Sequence, residues 1–126
     1  MRLFLLAAAG GAIGAGARYL VNVWSLILLG PSFPWATLIV NVTGSFLMGV
    51  VVAATEPLLG GSAPWRTFLA TGILGGFTTF SAFSLDAHTL IERRQFALAV
   101  LYAGGSVVLS LVALVAGLAA VKAIVR

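Results

Sequence analysis

The polar side chains of this sequence are sparse, mostly uncharged and set at helical intervals. Thr37, Asn41 and Ser45 recur every four residues, and so do Tyr102, Ser106 and Ser110. That spacing places each set on one face of a helix, whereas chance polar residues would scatter around it. Between the two sets lies Thr71-Gly-Ile-Leu-Gly-Gly-Phe-Thr-Thr-Phe-Ser-Ala-Phe-Ser84, in which Phe77, Phe80 and Phe83 follow at intervals of three, with Ser81 and Ser84 among them. Hydroxyls and amides donate hydrogen bonds without carrying full charge, and the edge of a phenylalanine ring is the positive rim of its quadrupole. A conducting path must replace the water around an ion without trapping the ion. A neutral, donor-lined track therefore suits a small anion better than buried lysines would. Plainer readings stand beside this one. Asn41 could be glue between helices, and mixtures of Gly, Thr and Phe often do no more than pack closely.

The inventory for catalysis is missing. The sequence has no Ser/His/Asp arrangement, no glycine-rich phosphate loop with its lysine, and no spacing of metal ligands. Cysteine is absent, which excludes disulfides and thiolate metal sites. An enzyme is not expected. A proton-coupled exporter of similar size would want a carboxylate deep in a span. Glu56 and Glu92 fall near span ends, and Asp86 lies beyond the glycine-threonine stretch. Asp86 is either a buried carboxylate with a functional role or a group near water. Arg18, inside the first apolar run with Asn22 one turn on, either snorkels to the surface or pairs in the interior.

These residues must be carried by elements that cross a membrane. Of 126 residues 61% are hydrophobic and only 8% charged, too little charge to cover a soluble domain of this size. A hydrocarbon core of ~30 Å takes about 20 apolar residues per helix, so the length allows about four spans and no separate domain. The punctuation fits that number. Gly30-Pro-Ser-Phe-Pro34, Gly60-Gly-Ser-Ala-Pro64 and Glu92-Arg-Arg-Gln95 separate spans near 3–29, 35–59, 65–92 and 96–121. Arg2 ahead of an apolar run resembles a signal peptide, but the run continues well past any cleavage site. The fold class expected is an all-α, multi-pass membrane protein of one four-helix domain.

The third span should be interrupted near its centre. Gly72, Gly75 and Gly76 weaken a helix, and the Thr78 and Thr79 hydroxyls compete for backbone hydrogen bonds. Unpaired backbone at membrane depth is tolerated only where it is buried in protein or lines a polar path. In the first span Gly10, Gly11, Gly14 and Gly16 offer small residues for close helix approach. The net charge of +4 suits anionic headgroups, and its basic residues are too scattered for nucleic acid. Arg2, Arg66, Lys122 and Arg126 fall on one side of the membrane and Arg93 and Arg94 on the other, so the positive-inside bias is weak. Such a chain is compatible with either orientation, and two opposed copies could pair about an axis in the membrane plane.

Three segments resemble the Fluc (CrcB) family of small fluoride channels over essentially the whole chain. They are Gly11-Ala-Ile-Gly14 with Arg18-Tyr19, Thr37-Leu-Ile-Val-Asn41-Val-Thr-Gly44, and Gly72-Ile-Leu-Gly-Gly-Phe-Thr-Thr-Phe-Ser81. The resemblance implies a fluoride-selective passive channel of the cell membrane, built as an antiparallel, dual-topology homodimer with two pathways, which lowers intracellular fluoride. It implies a structural, untransported sodium ion held by the backbone carbonyls of Gly75 and Thr78. It also places Asn41, Phe80, Phe83, Ser81, Tyr102, Ser106, Ser110 and Thr37 along the fluoride path, with Arg18 and Asp86 at its vestibule. Asp86 departs from the glutamate expected in many relatives. The alternatives are a dual-topology secondary transporter for small cations or drugs and a non-conducting membrane scaffold.

Overall fold

A computed structural model describes all 126 residues, and every regular element in it is helical. Helix α1 spans Arg2–Leu29 and α2 spans Trp35–Leu59. The third span is divided into α3, residues 63–77, and α4, Phe80–Glu92, and α5 covers Phe96–Val125. With α3 and α4 taken together, four helices are long and apolar enough to cross a membrane. The chain is a multi-pass membrane protein.

The ends of the helices follow from local chemistry. Gly30 stops α1 at φ 79°, and Gly60 closes α2 in the left-handed conformation at φ 60°, where glycine pays no Cβ penalty. Pro64 sits in the first turn of α3, where its missing N–H costs nothing. Within α3, Thr67–Leu74 winds as a π-helix, a wide form seen mainly at functional sites. The chain then extends through Thr78 (ψ 157°) and Thr79 (ψ 123°) before α4 begins. The interruption falls at the two threonines, one residue beyond the glycine pair and Phe77.

Close backbone contact holds the bundle. A Cβ added at Gly10 would lie 2.5 Å from the Phe68 carbonyl oxygen, and one at Gly76 would lie 2.5 Å from that of Gly11. A Cβ at Gly14 would run into the Ile73 carbonyl. In lipid the hydrophobic effect does not drive helices together, so such van der Waals contact carries the association. The α2–α5 pair uses the same device, with Gly49 against Leu114 and Gly117 against Phe46. A small cluster of Leu90, Ala99 and Tyr102, flanked by Phe33, Leu38 and Phe83, ties α4 to α5. Only 17 of 126 residues are buried, so most apolar side chains of the single chain face outward.

Candidate functional site at the helix break

The break needs partners for its backbone, and side chains from α1 and α2 supply them. The Asn41 side chain reads Thr79 at both ends: its Oδ1 accepts from the Thr79 N–H at 2.8 Å, and its Nδ2 donates to the Thr79 carbonyl at 3.0 Å. The Thr79 hydroxyl caps α4 by accepting from the Ala82 N–H at 3.1 Å. Thr78 folds back, its Oγ1 donating to the Leu74 carbonyl at 2.9 Å. Arg18 reaches in from α1, its Nε donating to the Gly76 carbonyl at 3.1 Å. Arg18 is thus paired in the interior. Asn41 is inter-helix glue in part, with one N–H left over for another acceptor.

Side chains donate to the carbonyls of Leu74, Gly76 and Thr79, and none donates to those of Gly75, Phe77 and Thr78. Gly75 is exposed, and a Cβ built on it would meet only the Ala70 carbonyl, at 3.6 Å. An open surface of bare carbonyl oxygens is the donor set that a hard monovalent cation takes. Side chains offer no rival, since no group of three His, Cys, Asp or Glu comes together.

On the α2–α5 side of the break lies a groove of about 330 Å³, bordered by Asn41, Ser45, Phe80, Phe83, Ser106 and Ser110. The Phe80 and Phe83 ring centroids are 5.5 Å apart, and Phe80 is 79% exposed. Ser106 is buried, and its hydroxyl has no hydrogen-bond partner. That is unusual in a helix, where a serine or threonine readily donates to the carbonyl four residues back. Thr43, Thr55, Thr78, Ser84 and Thr89 all do so in this chain. Ser106 therefore keeps a free donor in a groove with no charged lining residue.

On the α1 side of the break a second cavity of about 360 Å³ is lined by Arg18, Asn22, Thr37, Thr79 and Asp86 among others. Thr79 borders both cavities, so the Asn41–Thr79 lock stands between them. Tyr102 lines neither. It is 1% exposed, donates from its hydroxyl to Asp86 Oδ2 at 3.0 Å, and stacks on Phe83 at 5.3 Å. Ser81 is exposed outside both cavities, its hydroxyl 3.2 Å from that of Thr79. The structure thus gathers five of the expected path residues, Asn41, Phe80, Phe83, Ser106 and Ser110, around the groove and adds Ser45 to them, and it sets Arg18, Thr37 and Asp86 around the cavity. Thr79, expected only to weaken the helix, also caps α4 and borders both cavities. Its signal was present as a threonine directly before a helical run, which is a capping position.

The opposed half-helix ends sort charge. The C-terminal carbonyls of α3 carry partial negative charge and the first N–H groups of α4 carry partial positive charge, and both ends lie at the centre of one span. Arg18 already answers the first of these ends.

Comparison with known proteins matches nearly the whole chain. Residues 5–118 match the family model described as CrcB-like protein, Camphor Resistance (CrcB). A protein of Cereibacter sphaeroides strain ATCC 17029 named fluoride-specific ion channel FluC is 61% identical over 118 residues, covering 94% of this chain and 93% of that one. Proteins of the same name from Agrobacterium fabrum and Rhizobium meliloti are 55% identical over 114 residues (90% and 91% covered) and 52% identical over 125 residues (99% and 100% covered). The match runs through the glycine-packed first helix, the Asn41 lock and the threonine break alike, and the chain belongs to the CrcB-like family.

Proposed function

We propose that this chain is a fluoride-selective passive channel, formed by two antiparallel copies, that lets fluoride leave the cell without ATP or any enzymatic step. The observation that carries the reading is the unpartnered Ser106 hydroxyl in an uncharged groove beside the Asn41 amide and the Phe80 and Phe83 rings. Neutral donors and ring edges can replace the water around a small anion without holding it. The N-terminal end of α4 adds partial positive charge beside that path. Arg18, in the second cavity, would draw anions toward the break. The relatives' shared name supports fluoride as the ion.

A sodium ion at the dimer axis fits the bare carbonyls of Gly75 and Thr78, two from each copy. When bound it supplies fixed positive charge between two anion paths. The exposed face around Thr71, Gly75 and Phe80 is the surface that a second copy would cover. In this assembly the Asn41 clamp keeps the break in one shape, and Ser106 and Ser110 continue the donors along α5.

The test is fluoride efflux from liposomes holding the purified protein, followed with a fluoride electrode and with chloride as the control. Fast fluoride release, little chloride release and no need for a proton gradient are expected. Flux that requires a proton gradient would instead establish a secondary transporter. No flux from a verified, folded dimer would leave a scaffold.

A further inference from the structure

We propose that the far end of the α2–α5 pair binds the phosphate of an anionic membrane phospholipid. Away from the helix break, a cavity of about 360 Å³ is lined by Ala53 and Pro57 of α2 and by Val121, Lys122, Val125 and Arg126 of α5. Lys122 and Arg126 are one turn apart, and like charges at that spacing repel. Nothing in the chain neutralises them. The one contact between a basic and an acidic side chain joins His88 to Glu92, near the α4–α5 turn. Glu56, beside Pro57 in the chain, turns toward the α2–α3 connection, where a Cβ built on Gly61 would lie 3.1 Å from its Oε1. Lys122 lies in the last turn of α5 and Arg126 at its C-cap, where positive charge complements the carbonyl dipoles.

The other walls are apolar. Ala53, Pro57, Val121 and Val125 offer a surface for the glycerol and upper acyl carbons of a lipid, while the two cations face its phosphate. A free phosphate ion would use the cations alone and leave the apolar walls wet. The complementarity of charge with an apolar floor therefore favours the lipid. None of these residues borders the groove or the cavity at the break, so the site stands whether or not the conduction proposal holds.

The test is native mass spectrometry of the purified full chain with phosphatidylglycerol, phosphatidylcholine or inorganic phosphate added. Retained phosphatidylglycerol adducts are expected, with neither of the other two retained. Two cations near a charged surface together correspond to an affinity drop of about 30-fold in the Lys122→Gln/Arg126→Gln double variant. Arg66→Gln, at the same end but outside the cavity, should leave binding unchanged. Ala53→Leu, which fills the floor and keeps both charges, should weaken lipid binding. Equal adducts in wild type and the double variant, equal loss in Arg66→Gln, or tight retention of inorganic phosphate would each overturn the site. A circular dichroism spectrum matching wild type confirms that each variant is folded.

Discussion

At the scale of single residues, Asn41 has two duties that pull on one amide. Its oxygen and one N–H hold Thr79, and the second N–H is free toward the groove. Asn41→Asp keeps the acceptor for the Thr79 N–H but loses the donor to the Thr79 carbonyl, setting a carboxylate against a carbonyl oxygen and beside an anion path. Fluoride efflux should fall at least tenfold, with a lower melting temperature, since an unmade bond to a buried group costs about 1–3 kcal/mol. Unchanged efflux in the liposome assay would remove Asn41 from the path. Phe80 is different, because its side chain is largely exposed and makes no hydrogen bond. Phe80→Ile should leave the fold intact and abolish or greatly reduce efflux. Wild-type flux in that variant would count against ring edges as ligands.

At the scale of elements, the interrupted span depends on α1 as much as on its own sequence. Gly10, Gly14 and Gly76 let α1 touch the backbone of α3, and that contact carries Arg18 to the Gly76 carbonyl. Gly14→Leu should therefore separate the two helices. Overpacking of this kind costs about 1–3 kcal/mol. The expected readout is a lower thermal midpoint in detergent together with reduced efflux, while Gly16→Ala, where nothing lies within 4 Å of the added Cβ, should change neither. Much of this was legible beforehand. Turn residues mark the ends of the spans, and the run Gly75-Gly-Phe-Thr-Thr79 marks the break because those residues weaken a helix locally. The π-helical winding over Thr67–Leu74 was not legible, since it answers to packing against α1 and not to any residue's own preference. Nor was the pairing of Tyr102 with Asp86, which couples residues 16 apart across two elements. The period of four marked Tyr102 with Ser106 and Ser110, but it could not show that the aromatic ring packs on Phe83 while the two serines border the groove.

At the scale of the whole molecule, the single chain is left with bare carbonyls and a broad apolar exterior. The outward face of α5 alone exposes Val100, Leu101, Val107, Val108, Leu111, Val112 and Val115, as a helix in lipid can. Carbonyls cannot be left so. At membrane depth an unsatisfied backbone group costs several kcal/mol. No side chain of this copy donates to the Gly75 or Thr78 oxygen, the Arg18 and Asn41 bonds going to Gly76 and Thr79. In the proposed dimer a second copy would bring more oxygens, so pairing two such surfaces would gather partial negative charge unless a cation sat between them. Sodium would then be a condition of assembly, and its removal should act on association before it acts on the pathway. Exchange of sodium for N-methyl-D-glucamine, a cation too bulky for the carbonyl set, should shift the purified protein from dimer toward monomer in size-exclusion chromatography and stop efflux in liposomes. Return of sodium should restore both. If the dimer and its flux are indifferent to the exchange, the oxygens of Gly75 and Thr78 find their partners elsewhere, and no ion is needed where the two broken spans meet.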